Sequence, residues 1–119
     1  MALSINLRES GGVAILDLAG RLWVLERPLR DKVNEFLEQG RRHFVLNLAG
    51  LNYMDSSGLG QLVSILTSIR NNGGHIVILQ PNERIQHLFA ITRLNTVFGI
   101  FMDEGEAVQA AQKNSQVSA

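Results

Sequence analysis

The chain is 119 residues long and 45% hydrophobic, its eleven Lys and Arg balance eleven Asp and Glu, and it has no cysteine. That length and apolar content suit one domain with a single continuous core. Without a basic stripe beyond Arg41-Arg42 the footprint of a nucleic-acid binder is missing, and the absence of cysteine excludes a disulfide framework, a thiolate metal site and a cysteine nucleophile.

The opening MALSINLRES has neither a basic stretch nor a long apolar one, and no apolar run approaches the length that crosses a bilayer. A cytoplasmic protein without membrane insertion is expected. Residues 3 to 9 alternate, Leu3, Ile5 and Leu7 against Ser4, Asn6 and Arg8, as a half-buried strand does. Gly11-Gly12 marks a turn into VAILDLAG, so the two runs read as a hairpin. From Pro28 the spacing changes: Leu29, Val33, Phe36 and Leu37 lie on one face of a helix that should stop at Gly40. HFVLNLAGL, 43 to 51, is a mostly apolar run of strand length.

After the junction YMDSSGLG, the residues Leu59, Leu62, Val63, Leu66 and Ile69 recur at three- and four-residue intervals, so 57 to about 70 is an amphipathic helix, ended by NNGG. HIVILQ is a further buried strand. Pro81-Asn82 starts a short helix carrying Ile85, Leu88 and Phe89, with Asn82 as its N-cap. TVFGIF, 96 to 101, reads as a fifth strand, and Asp103 and Glu106 have capping-box spacing for a last helix. The order β-β-α-β-α-β-α-β-α implies an α/β fold with a mixed sheet of about five strands and helices mainly on one face. A single domain over 1–112 followed by a polar tail over 113–119 is the expected organisation.

The junction is where chemistry would sit. A serine where a strand becomes a helix is most often an N-cap, its oxygen accepting from an otherwise unpaired backbone N–H. Asp55 would favour the positive end of the helix dipole, and Gly58 would relieve crowding at the helix entry. Sharper motifs fail on spacing. A nucleophile elbow needs G-x-S-x-G, and two residues before either serine stands Met54 or Asp55. GLGQLV has Val63 where a dinucleotide loop needs its last glycine, and no G-x-x-x-x-G-K-[ST] occurs. His43, His75 and His87 each lack a second histidine at ligand spacing, so neither a metal nor a general base is assigned, and no cofactor is expected. Asp17 and Asp55 could converge at one end of the sheet as a carboxylate pair, a pairing guessed from topology. What remains is a modification: a helix N-terminus is where a fold best tolerates a phosphoserine, whose charge would repel an acidic or desolvated partner surface.

The run FVLNLAGLNYMDSSGLGQL, the helix ended by NNGGHIVIL and the segment ERIQHLFAITRLNTVFGIF together resemble the STAS family, specifically bacterial anti-sigma factor antagonists. The resemblance implies a non-catalytic switch rather than an enzyme. Unphosphorylated, it would bind an anti-sigma factor that is also a serine kinase; phosphorylation would part the two, and a PP2C-type phosphatase would reset it. It puts the acceptor on Ser57, with Ser56 as second choice. Asp55, Ser56, Gly58, Leu59 and Gly60 would form the acceptor loop, the glycines letting the kinase approach. Many family members carry an acidic residue near the acceptor where GRLWV here has Trp23, an interface anchor or a lid on the core edge. The other reading is a STAS-type module holding a lipid, a nucleotide or a transporter subunit, with Ser57 only capping the helix. Pairing of the sheet edge or the last helix with a second copy would give a homodimer.

Overall fold

The computed structural model describes residues 3–22 and 28–117, with side chains over 3–22 and 29–112. The elements are β1 (Ser4–Ser10), β2 (Val13–Leu22), α1 (Pro28–Glu38), β3 (His43–Met54), α2 (Ser56–Asn71), β4 (His75–Leu79), α3 (Glu83–Ile91), β5 (Gly99–Phe101) and α4 (Glu104–Val117), with one 3-10 turn at Leu94–Thr96. The sequence-based order therefore holds. The sheet runs β1-β2-β3-β4-β5, with β1 antiparallel to β2 and the other pairs parallel. Gly11 and Gly12, both at positive φ (57° and 80°), make the two-residue turn that closes the β1-β2 hairpin at Ser10↔Val13.

Neighbouring parallel strands are consecutive in sequence, so each crossover helix returns to the same side. Leu29, Val33 and Phe36 of α1, Leu59, Leu62, Ile65 and Ile69 of α2, and Ile85 and Phe89 of α3 share one core with Leu16, Leu46 and Ile78 of the sheet. The last helix takes the other face. Ala107, Val108 and Ala111 of α4 lie on Val13, Ile15, Val45, Val77 and Leu79, the alternate residues of the same strands.

Two strand ends differ from the sequence reading. β3 continues past Leu51 to Met54, because register shifts against β2 carry the buried positions from Leu46 and Leu48 to Leu51 and Met54, and the alternation that marks a strand is lost. β5 begins only at Gly99. Ahead of it Phe98 is drawn into the core against Phe89, ring centroids 5.7 Å apart, so the chain turns there instead of extending.

α4 starts as its spacing indicated: Glu106 N–H donates to Asp103 Oδ2 at 3.0 Å. Its first turn is then tied to the sheet by charge. The Arg8 guanidinium donates to both Asp17 oxygens, at 2.6 and 2.9 Å, and to both Glu104 oxygens, at 2.7 and 3.1 Å, while Asn47 Nδ2 donates to Asp17 Oδ1 at 2.8 Å. Further along, Gln112 Nε2 donates to the Gly11 carbonyl at 2.7 Å.

Candidate functional site

The junction between β3 and α2 is built from its own few residues. Asp55 leaves the strand in an extended conformation (φ −105°, ψ −172°) and is the N-cap of α2: its Oδ1 accepts from Gly58 N–H at 2.9 Å, and its carbonyl takes the Leu59 N–H at 2.9 Å. The cap is thus the carboxylate, not a serine hydroxyl. A carboxylate is the better acceptor here, since it meets both an unpaired N–H and the positive end of the helix.

The Ser57 hydroxyl instead donates to the same Asp55 Oδ1, at 2.5 Å. That bond first, and the Gly58 N–H next, hold the Asp55 carboxyl below its usual range, so it is ionised at neutral pH. Ser56 is exposed and Ser57 half-buried at the first turn.

The two glycines differ. A Cβ on Gly58 would stand 2.3 Å from the Leu22 carbonyl oxygen and 2.9 Å from Met54 Cγ, so the end of β2 presses directly on the first turn of α2. At Gly60 a Cβ would meet open space on the exposed side. Leu59 turns inward, 7% exposed, and anchors the turn in the core. The expectation for Trp23 falls on a residue outside the described ones.

Two neighbours of the junction had no signal in the sequence. Arg21 and Tyr53 are cross-strand partners, one register step before Leu22↔Met54, and the Arg21 guanidinium lies over the Tyr53 ring at 4.9 Å. Their pairing depends on the register shifts between β2 and β3, which no local pattern reveals. Asn82 caps α3 through Ile85 N–H at 2.9 Å, and its Nδ2 donates to the Leu51 carbonyl at 3.2 Å. The N-termini of α2 and α3 therefore share the rim where the parallel strands end.

The carboxylate pair guessed from topology does not form. Asp17 lies opposite Asn47, seven residues before Met54 on β3, which is ~23 Å along a strand. Arg8 first, against some burial, holds its carboxyl below the usual range and makes it structural. His43 and His75 are cross-strand partners, whereas His87 stands exposed on α3. Burial first, then Arg70 and His43, lower the His75 pKa. Among the described residues no three His, Asp or Glu side chains gather as a metal site, and no helix is long and apolar enough to cross a membrane. A polar groove of about 380 Å3, lined by Arg30, Ser64, Thr67, Ser68, Asn71 and Asn72, lies toward the other end of α2.

Comparison with known proteins agrees with this architecture. The STAS domain family profile matches residues 4–107. An anti-sigma-B factor antagonist of Staphylococcus aureus is 33% identical over 110 residues, 92% of this chain and 100% of that protein. The crystal structure of a candidate anti-sigma factor antagonist from Thermotoga maritima superposes with a TM-score of 0.82 at 28% identity, covering 92% of this chain and 95% of that one. The phosphorylated form of the Bacillus cell fate determinant SpoIIAA shares the fold, with a TM-score of 0.71 at 22% identity over 90% of this chain and 98% of that one.

Proposed function

The chain belongs to the STAS domain family, and we propose that it acts as an anti-sigma factor antagonist, a binding switch set by phosphorylation of Ser57. Unphosphorylated, it holds an anti-sigma factor that is also a serine kinase; phosphorylated, it lets go, and a PP2C-type phosphatase restores the first state. In this reading the chain works in the cytoplasm as the kinase's substrate and catalyses nothing itself. In support, the S. aureus relative, which the alignment spans over its whole length, is named an anti-sigma-B factor antagonist.

The observation that carries the proposal is the 2.5 Å bond from Ser57 Oγ to an Asp55 carboxylate that also caps α2. Esterifying Ser57 removes the proton that makes this bond and adds about −1.5 to −2 charges beside an ionised carboxylate. Helix N–H groups and the helix dipole help the fold carry that charge. The partner surface receives no such help. An interface shaped for a neutral hydroxyl next to one carboxylate meets a doubled negative cluster and is repelled. Ser56, more exposed and without the bond to Asp55 that Ser57 makes, is the second candidate.

The test is incubation of the protein with ATP and each candidate anti-sigma factor kinase of its own organism, read by intact mass. One phosphate is expected, absent in Ser57→Ala and retained in Ser56→Ala. Ser57→Asp should bind the kinase at least roughly tenfold more weakly than wild type, and unchanged affinity would falsify the switch.

A further inference from the structure

From Ser56 to Met102 the chain carries Arg70, Arg84 and Arg93, with Glu83 as its single acid. On α3, Arg84, His87, Leu88 and Ile91 recur at three- and four-residue intervals and form one ridge, about 10 Å long, outside the buried face of Ile85 and Phe89. Ile91 is 64% exposed, more than any other large apolar side chain among the described residues, and Val97, just past the 3-10 turn, is 38% exposed. Arg70 joins them from α2, its Nη2 donating to the Val97 carbonyl at 3.3 Å. Exposed apolar groups and arginines thus share one surface.

The second observation concerns the backbone. Among the described residues two that are not glycine hold a positive φ, Gln80 at 51° and Arg93 at 62°. A side chain in that left-handed region crowds the backbone, so the conformation is normally left to glycine. Gln80 is compensated locally, since its Nε2 donates to the Met102 carbonyl at 2.9 Å. Arg93, the N-cap of the 3-10 turn, makes no side-chain cap bond, and neither it nor Arg84 enters an ion pair among the described residues. The fold carries an arginine where glycine would sit without strain, and the guanidinium is left on the surface.

We infer that the α3 ridge, with Arg93 and Val97, docks an acidic amphipathic segment of another protein, its carboxylates on Arg84 and Arg93 and its apolar side chains over Ile91 and Val97. The charge balance selects this occupant: between Arg84 and Met102 no Asp or Glu stands to repel a carboxylate or compete for a guanidinium. All three cations are arginines, whose planar fork takes a carboxylate through two bonds. They fall short of the cluster of about four to eight basic residues that holds a protein on an anionic membrane. The surface lies away from the proposed switch. Arg70 follows Ser57 by thirteen residues on α2, ~20 Å along the helix, so docking here is independent of phosphorylation.

The probe is a helical peptide of about 14 residues, roughly 20 Å long, with Leu along one side and Glu along its flanks, and a control peptide with Gln in place of every Glu. Amide spectra of the full-length protein at low salt should show Arg84, Ile91, Arg93 and Val97 shifting with the Glu peptide, Ser56 and Ser57 unmoved, and no shifts with the Gln peptide. Arg93→Gly keeps the left-handed backbone and removes only the side chain. It should bind the Glu peptide roughly tenfold more weakly, with a urea midpoint at or above that of wild type, whereas Lys32→Gln, on α1, should bind as wild type does. No binding of the Glu peptide, equal binding of both peptides, or wild-type affinity in Arg93→Gly overturns the surface. So does a lowered urea midpoint in Arg93→Gly, which would make the side chain structural, or phosphatidylglycerol vesicles shifting these resonances where the peptide does not.

Discussion

The Asp55 junction and the Arg8 cluster each rest on carboxylates held ionised, yet they are assembled over different distances along the chain. At the junction the acceptor and its donors are two and three residues apart. In the cluster Arg8 reaches Asp17 nine residues away and Glu104 across 96. A site closed on itself can change its charge without releasing another element. The cluster cannot, since α4 and the hairpin meet through it. The proposed phosphorylation falls on the junction, where added charge disturbs the fold least.

The largest expected effect tests whether the junction is as firmly seated as it is self-contained. Gly58→Ala puts a methyl group 2.3 Å from the Leu22 carbonyl, a backbone atom that no rotamer change can move aside. A loss of about 3 kcal/mol in urea unfolding is expected. A loss under about 1 kcal/mol would mean that the first turn of α2 floats on the end of β2, and the contrast with the cluster would break.

Next comes the cluster. Asp17→Ala leaves the Arg8 guanidinium and the Asn47 amide without their shared acceptor and should cost about 1–2 kcal/mol, with faster amide exchange at the start of α4. Arg8→Gln should cost less, about 0.5–1 kcal/mol, because Arg8 and Glu104 are 40% and 44% exposed and water screens the pair. The same ion pairs set an acid limb. The Arg8 hydrogen bonds are the leading cause that lowers the carboxyls of Asp17 and Glu104. Depressed carboxyls contribute stability above their unfolded values, about 3.9 and 4.3, and lose it as pH falls through the lower folded ones. Arg8 is raised from an already high value and stays charged throughout. Urea midpoints measured from pH 5 to pH 2 should therefore fall more steeply in wild type than in Asp17→Asn.

The difference in chain distance also explains what could be read from the sequence. Gly11-Gly12, the Asn82 cap, the Asp103 cap and the helical spacing after Ser57 are local signals, and each reports an element that forms. Serine as the cap of α2 was the natural expectation, but Asp55 stands one residue earlier with a stronger acceptor. The Arg8 cluster, the Arg21-Tyr53 stack and the His43-His75 pair are set by strand register and by the path of α4. Register in turn depends on shifts between β2 and β3 that leave no local pattern. For the same reason the sequence leaves Asp17 and Asp55 free to converge, whereas the strand register sets Asp17 opposite Asn47.

The smallest expected effect is also the sharpest probe of the junction. Ser57→Ala removes the hydroxyl but keeps the Gly58 N–H bond to Asp55, so the cap survives and the urea midpoint should not move measurably. The Asp55 carboxyl should move, because the Ser57 hydrogen bond is the leading cause of its lowered pKa. Its titration, followed by carboxyl carbon resonances, should shift upward in Ser57→Ala and stay put in Ser56→Ala. Equal shifts from both alanines would place the two hydroxyls on the carboxylate alike and remove the reason for choosing Ser57 as the acceptor. A shift from Ser57→Ala alone would show the hydroxyl and the cap sharing one oxygen, the local economy that sets this rim of the sheet apart from the Arg8 cluster.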